Sequence, residues 1–450
     1  MDDNLQELMA AVEAAEDELV DLHRRLVRIP SINTGAPDSG NETAVCQVLE
    51  EVFAREGIAS TTLESAPTRG NIVAHIGTGN GPRLLTMNHT DVVPVDESRW
   101  SVPPFAAEVR DGKVYGRGTS DCKSLTSSGA LSMILLKRLG ISLKGTYRFV
   151  GAADEESGGK YGIAWLAEHH PDTIRADYAV NEGGGAPLTG AEGVVLSLAV
   201  GEKGRMVARY RFDGRSGHAA VPWHADNTLY SLAQLLTRLE NYQPELDVSL
   251  PFFQSLHLFG VEDVVDAGEL ARVLSGMAED NHRLAGMMRG LSRITITPTM
   301  TAAGLKSNSI PAFAELTCDI RTLPHQDAAY VKRELHNLAE GIEGVSVDLE
   351  VTAATNASPH DTAFVEQLRQ ASAAALGRED ISLLPVLTIG FTDARCVRPL
   401  GTDVYGFSPS MPDEKVNSGV HGVDEVISIA DLVLRAKMQT ALAFLTLAEQ

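Results

Sequence analysis

Five short segments place His, Asp or Glu directly behind an apolar run: NHTDVV with His89 and Asp91, GRGTSDCK with Asp121, DEESGG with Glu155 and Glu156, NEGGG with Glu182, and GVHGVDE with His421. In an open α/β sheet, ligands gather where strands end, so these are positions from which side chains can converge. Imidazole and carboxylate donors without thiolates suit zinc, cobalt or manganese. Two ions about 3.5 to 4 Å apart need a bridging carboxylate and further ligands for each, and this set meets that count. Carboxylates gathered in one cleft repel one another unless cations are present. Asp91 lies two residues beyond His89, on the same face if the chain is extended, and is expected to accept a hydrogen bond from the ring nitrogen not used for metal. Glu155 and Glu156 point in different directions, so one can bind metal while the other handles protons. Taken singly, an HxD reads as a solvated turn, an EE pair as a helix start and a lone His421 as an ordinary histidine; their order and joint spacing carry the signal.

The elements that must position these residues follow from hydrophobic periodicity. Up to about Val194, short apolar runs ending in polar clusters alternate with amphipathic runs, the pattern of a mixed, mostly parallel sheet covered by helices. Strands are expected at Asn71 to Ile76, Arg83 to Asn88, Thr146 to Ala152 and Ala176 to Asn181. Helices are expected at Asn4 to Arg28, Glu42 to Glu56, Ser124 to Leu139 and Gly159 to His169. At VVLSLAV and RMVARYRF, joined by the turn-like GEKG, the texture reads as an antiparallel hairpin of a different sheet. A smaller α+β domain is therefore expected over residues 200–355. It would carry a helix at Asn227 to Glu240, a helical stretch near Ala267 to Gly290 and several strands, inserted into an α/β domain made of residues 1–199 and 356–450.

The chain has 450 residues, of which 44% are hydrophobic and 22% charged, enough for two or three cores. Its 60 Asp and Glu against 38 Lys and Arg give a formal charge of −22, which opposes binding to nucleic acid or to an anionic membrane. No basic stretch followed by an apolar core opens the sequence, and Cys46, Cys122, Cys318 and Cys396 are scattered without a CxxC pair. A soluble, cytoplasmic protein acting on small molecules or short peptides is the expectation.

At the ligand segments the sequence resembles the di-zinc metallopeptidase family that includes aminoacylase-1, glutamate carboxypeptidase, acetylornithine deacetylase and succinyl-diaminopimelate desuccinylase. LLTMNHTDVVPVD, DGKVYGRGTSDCK and ADEESGG are similar to its first-ligand, bridging-Asp and Glu-Glu motifs, and the likeness covers nearly the whole chain. It implies two divalent ions, most simply Zn2+ with Co2+ or Mn2+ as alternatives. Asp121 would bridge, His89 and Glu182 would hold one ion, Glu156 and His421 the other, and Glu155 would be the general base. GRSGHAAVP, NSIP and CDIR resemble lid motifs of a ferredoxin-like domain. The resemblance implies that His218 stabilises the oxyanion, often across a homodimer formed through the lid, and that Asn308 and Arg321 bind a substrate carboxylate. TIGFTDAR resembles a substrate-side loop with Gly390, Thr392 and Asp393, and the peptide before Cys122 is often cis in the family. Arg321 also reads as one half of a surface salt bridge.

Glu rather than Asp at position 182 accompanies carboxypeptidases and N-deacylases in that family. The expected reaction is thus hydrolysis of an amide beside a free carboxylate, by water that is activated by both ions and gives its proton to Glu155. A dipeptidase or aminopeptidase on the same scaffold and a catalytically silent binding protein stand as alternatives. A nucleotide-dependent enzyme does not, since NEGGG lacks both the GxGxxG spacing and a following Lys-Ser or Lys-Thr.

Overall fold

The fold is seen in a computed structural model, which describes residues 3–36, 38–277, 282–388, 390–412 and 418–449. Its larger sheet has ten strands, ordered Ser60–Glu64, Gly70–Ile76, Thr146–Ala152, Arg83–His89, Tyr178–Asn181, Asp403–Gly406, Val194–Glu202 and Asn356–Ala357, with Ile381–Thr388 and Pro187–Thr189 also paired to Val194–Glu202. Parallel pairings run through the middle, and antiparallel strands flank them. Registers of His89 with Ala152 and of Asn181 with Gly406 bring the C-terminal ends of four central strands to one edge. The chain leaving those ends carries Asp91, the Glu155-Glu156 pair and Glu182.

Helix Lys123–Arg138 fills one face of this sheet and is buried over nearly its whole length. It packs with Glu16–Val27 and the closing helix Ile429–Leu447, and the close fit needs Gly129, where a Cβ would stand 2.8 Å from Gln439 and 3.3 Å from Phe149. The sheet's core includes Phe53 edge-on to Phe149 at 5.4 Å, a contact whose truncation to Ala costs about 3–5 kcal/mol. The expected first helix is two, Asp3–Ala14 and Glu16–Val27, with Ala15 (φ −95°, ψ 13°) between them.

The smaller sheet is antiparallel, ordered Thr295–Ala303, Phe313–Thr322, Gly204–Asp213 and Val345–Ala353. Helices Thr228–Glu240 and Ala328–Ala339 cover it in the β-α-β-β-α-β order of ferredoxin-like folds. Tyr210, Phe212, Leu235, Val331 and Leu335 belong to its separate core.

The expectation of a hairpin at VVLSLAV and RMVARYRF is corrected. Val194–Glu202 lies in the large sheet and is buried at every position, whereas Gly204–Asp213 alternates buried and accessible residues in the small one. A strand covered on both faces reads as continuous apolar sequence and a half-covered strand alternates, so GEKG is a crossing between sheets and not a turn. The stretch expected to be helical near Ala267 to Gly290 forms Ala267–Met277 and His282–Leu291; residues 278–281 within it, like residue 389 of TIGFTDAR, lie outside the described residues. Phe252, Phe253, Leu270 and Met288 share the core of the large sheet. No helix among the described residues is long and apolar enough to cross a membrane.

Candidate metal centre

His89 closes its strand with the ring buried, Nδ1 3.0 Å from the Asp91 carbonyl and Nε2 3.0 Å from Asp121 Oδ1 and 3.5 Å from Glu182 Oε2. His421, on a left-handed residue (φ 60°), brings Nε2 to 3.3 Å from Asp121 Oδ2 and 3.2 Å from Glu156. Ligating atoms thus fall into two groups, each within 4.8 Å: His89, Asp121, Glu182 and Cys122, and Asp121, Glu156 and His421. Asp121 is common to both and faces each with a different oxygen. The Asp121–Cys122 peptide is cis, and burial keeps the Cys122 thiol well above its ordinary pKa, so it is not a thiolate at neutral pH.

Burial, partly offset by His89 and reinforced by Asp121, lifts Glu182 to about 7. Burial and then Glu182 push Glu155 well above the carboxylate range, while burial, eased by Arg395, lifts Asp393 to about 8. Hydrogen bonds to Asp121 and Glu156 raise His421 to about 10. Asp121 is held low against its own burial by His421 and His89. Protons on the histidines here offset the charge of clustered carboxylates, the place that divalent cations take in a metal site. The donor set therefore fits two such ions.

Asp91, fully buried, organises the floor. Its carboxylate accepts from the backbone N–H of Glu155 (3.1 Å), that of Glu156 (3.2 Å) and Asn33 Nδ2 (2.8 Å), with His89 Nδ1 at 3.4 Å. Asn33 also donates to Asp154 (3.0 Å), which receives Arg69 at 3.0 Å; Arg69 in turn meets Glu42 at 2.9 Å, and Arg69 and Glu42 are fully buried. On the other side, buried Glu425 accepts from the N–H groups of Gly118, Ser120 and Asp121 at 3.0, 2.8 and 3.0 Å and from Arg117 at 2.7 Å. It ties the Asp121 loop to the His421 loop. Sequence reasoning passed over Asn33, Glu42, Arg69, Asp154 and Glu425, although HGVDE contains the last.

Of the remaining expected site residues, Asp393 lies near enough to Glu155 and Glu182 for their charges to interact, and the others stand apart. Thr392 is buried, donating to Glu202 at 2.6 Å and accepting from Asn181 at 3.0 Å, so its hydroxyl is occupied within the wall; Gly390 is half-buried with open space where a Cβ would be. Asp393 is buried beside Gly159. His218 and Asn308 are exposed neighbours on a short ribbon, where His218 pairs with Ser309 and the Ala219 N–H donates to the Asn308 carbonyl. Among the described residues no hydrogen bond or ion pair joins them to the metal cluster. Arg321 donates to Asp319 at 2.8 Å, and Arg205, opposite Arg321 on the next strand, holds the other oxygen of Asp319 at 3.1 Å.

The model of Peptidase family M20/M25/M40 matches residues 85–444. A probable succinyl-diaminopimelate desuccinylase of Staphylococcus aureus (strain MRSA252) is 25% identical over 79% of this chain and 82% of its own. The N-fatty-acyl-amino acid synthase/hydrolase PM20D1 of Homo sapiens is 27% identical over 90% of this chain and 82% of its own. Among solved structures, the M20 family metallo-carboxypeptidase Sso-CP2 of Sulfolobus solfataricus superposes with a TM-score of 0.68 over 94% of this chain and 97% of that one, at 19% identity.

Proposed function

The chain belongs to Peptidase family M20/M25/M40 and is a metallohydrolase, and we propose that it cleaves an amide bond next to a free carboxylate, as an N-acyl-amino-acid deacylase or carboxypeptidase using two divalent cations. The observation that carries this reading is the pair of donor groups that share Asp121. His89, Asp121 and Glu182 would hold one ion and Asp121, Glu156 and His421 the other, with zinc the ion the donors suit best. When bound, such a pair supplies Lewis acidity, which acidifies water and offsets charge on a carbonyl oxygen.

The protein's own groups do the rest. Glu155 takes the proton of the attacking water and returns it to the leaving amine. Its backbone is pinned by Asp91, which also orients the His89 ring, so the base and a ligand share one support. Arg321 and Asn308 bind the substrate carboxylate and His218 donates to the oxyanion once the small sheet closes over the cleft as a lid, or once the ribbon of a second copy reaches in. Exposure of His218 and Asn308 on one ribbon supports a role that begins on closure.

The test is to titrate metal-stripped protein with zinc or cobalt while following N-acyl amino acids, their C-terminal amides and free-amine dipeptides. Activity saturating near two ions per chain, confined to N-acylated substrates with a free carboxylate, is the expected result. A preference for free-amine dipeptides would replace this reading with the dipeptidase or aminopeptidase one. No stoichiometric metal binding would overturn both.

A further inference from the structure

The loop that carries Asp121 and the loop that carries His421 meet at one buried side chain. Glu425 is 1% exposed, and each of its oxygens takes two donors: Oε1 the N–H groups of Ser120 and Asp121 at 2.8 and 3.0 Å, Oε2 the Gly118 N–H at 3.0 Å and Arg117 Nη1 at 2.7 Å. Arg117 carries the link onward, because its Nη2 donates at 2.7 Å to the carbonyl of Gly422, the residue after His421. The two loops do not depend on this tie equally. The Asp121 segment has a second brace, Arg435 Nη1 on the Ser120 carbonyl at 3.4 Å, and leads at once into the buried helix Lys123–Arg138. His421 stands in the left-handed region (φ 60°) with its side chain 54% exposed. A side-chain-bearing residue keeps that backbone only where its surroundings hold it. The loop's other anchors, the Ser101 N–H on Asp424 at 2.8 Å and the Gly116 N–H on the Glu425 carbonyl at 2.9 Å, lie beyond Gly422 in sequence.

We propose that Glu425 is a positioning residue for one ion of the pair: through Arg117 and Gly422 it fixes His421 relative to Asp121, so the ion that Asp121, Glu156 and His421 would hold depends on it far more than the ion of His89, Asp121 and Glu182. This rests on the two-ion reading above and adds to it the group that couples the two loops. The asymmetry follows from where the ligands are rooted. His89 ends one strand of the larger sheet, Glu182 follows directly on another, and Glu156 has its backbone N–H on Asp91 at 3.2 Å. Asp121 and His421 are the ligands whose loops Glu425 joins, and of the two His421 has the weaker independent support. Only a carboxylate can accept at both ends. Glutamine has one acceptor oxygen, and its NH2 would face a pair of donors, so Glu425→Gln breaks one pair of bonds whichever way the amide turns. Losing the Oε1 pair releases the Asp121 loop, and losing the Oε2 pair releases Arg117 and with it the chain beside His421. Either cut separates the two loops.

The experiment titrates metal-stripped wild type, Glu425→Gln and His421→Ala with Co2+ alone, following heat and visible absorption. In Glu425→Gln one ion should keep its affinity to within about threefold while the other binds about 10–100-fold more weakly, the range for losing a group that orients a ligand. His421→Ala, which lacks a ligand to one ion only, identifies the weakened one: the absorption it loses should be the absorption that Glu425→Gln gains only at high Co2+. The readout is the ratio of the two affinities, since a merely structural role lowers both in step. Should Glu425→Gln fail to fold, Arg117→Lys carries the same test, because it keeps the charge and loses the planar fork that spans Glu425 and the Gly422 carbonyl. A two-ion wild type whose variant binds both ions as before, weakens both alike, or weakens the ion that His421→Ala retains overturns the coupling alone. A wild type that takes up fewer than two ions overturns the two-ion reading, and the coupling with it.

Discussion

Asp91 and His218 sit at opposite extremes of order. Asp91 is fully buried and meets two backbone N–H groups, Asn33 and His89, while His218 is exposed and its ring accepts one local hydrogen bond, from the Ala220 N–H at 3.1 Å. The same contrast holds for their surroundings: a chain of buried charged and polar groups from Glu42 through Arg69, Asp154 and Asn33 braces the floor, and a two-residue strand pairing braces the ribbon. Clustered carboxylates repel, so the floor keeps its geometry only if the groups behind it are fixed. In the proposed reaction the ribbon moves, because substrate enters before His218 can donate to an oxyanion. Dense buried bracing thus belongs to the floor, and a short exposed pairing to the ribbon.

The sharpest way to break that division is to remove its deepest brace. Arg69→Met leaves Glu42 and Asp154 buried without their cation and should destabilise the protein by about 3–5 kcal/mol in urea unfolding; a loss below 1 kcal/mol would show that the floor is not braced from behind. On the ribbon, His218→Ala should lower kcat about 10²–10³-fold with metal stoichiometry unchanged. Loss of metal from that variant would place His218 in the floor instead. Asp91→Asn should weaken metal binding or activity about 10–100-fold, measured by competition with a chelator, since it loosens a ligand without removing one.

A pH dependence should also arise in the larger unit. His23 is buried there between Thr119 (2.8 Å) and Ser127 (3.2 Å), and burial lowers its pKa from 6.5 to about 3. Between those values the unfolded chain binds a proton that the folded one refuses. The stabilisation is complete above pH 6.5 and falls as pH drops toward 3, by up to about 1.4 kcal/mol per pH unit. His23→Leu should flatten that slope in unfolding curves between pH 7 and 4.5; an unchanged slope would assign acid sensitivity elsewhere. Among the described residues, the core of the smaller sheet holds no histidine.

Legibility in sequence followed the same divide. Strand Thr146–Ala152 begins and ends where hydrophobic periodicity puts it, helix Glu42–Arg55 does so to within one residue, and the groups around His89, Asp121, Glu156, Glu182 and His421 meet in space because each follows a strand or a turn at one sheet edge. GEKG misled because a short Gly-rich link looks alike whether the chain turns back or passes to another sheet; the continuous burial of Val194–Glu202 against the alternation after Gly204 was the available clue. Arg69 and Glu42 were illegible for a different reason. Each is a charged residue in a polar context, and only tertiary packing shows that they are buried together. Glu425 was within reach, four residues beyond His421, but three of its four partners are backbone N–H groups, which leave no mark on side-chain patterns, and the fourth, Arg117, is 308 residues away in sequence.

In the proposed reaction Glu155 moves the proton in a centre assembled around Asp121. Its most direct test is Glu155→Gln, loaded with zinc or cobalt and assayed beside wild type for bound metal and for hydrolysis of an N-acyl amino acid. Two ions per chain in both proteins, with the variant slower by about 10²–10⁴-fold, is the predicted result. A variant that binds two ions and hydrolyses as fast as wild type would contradict it.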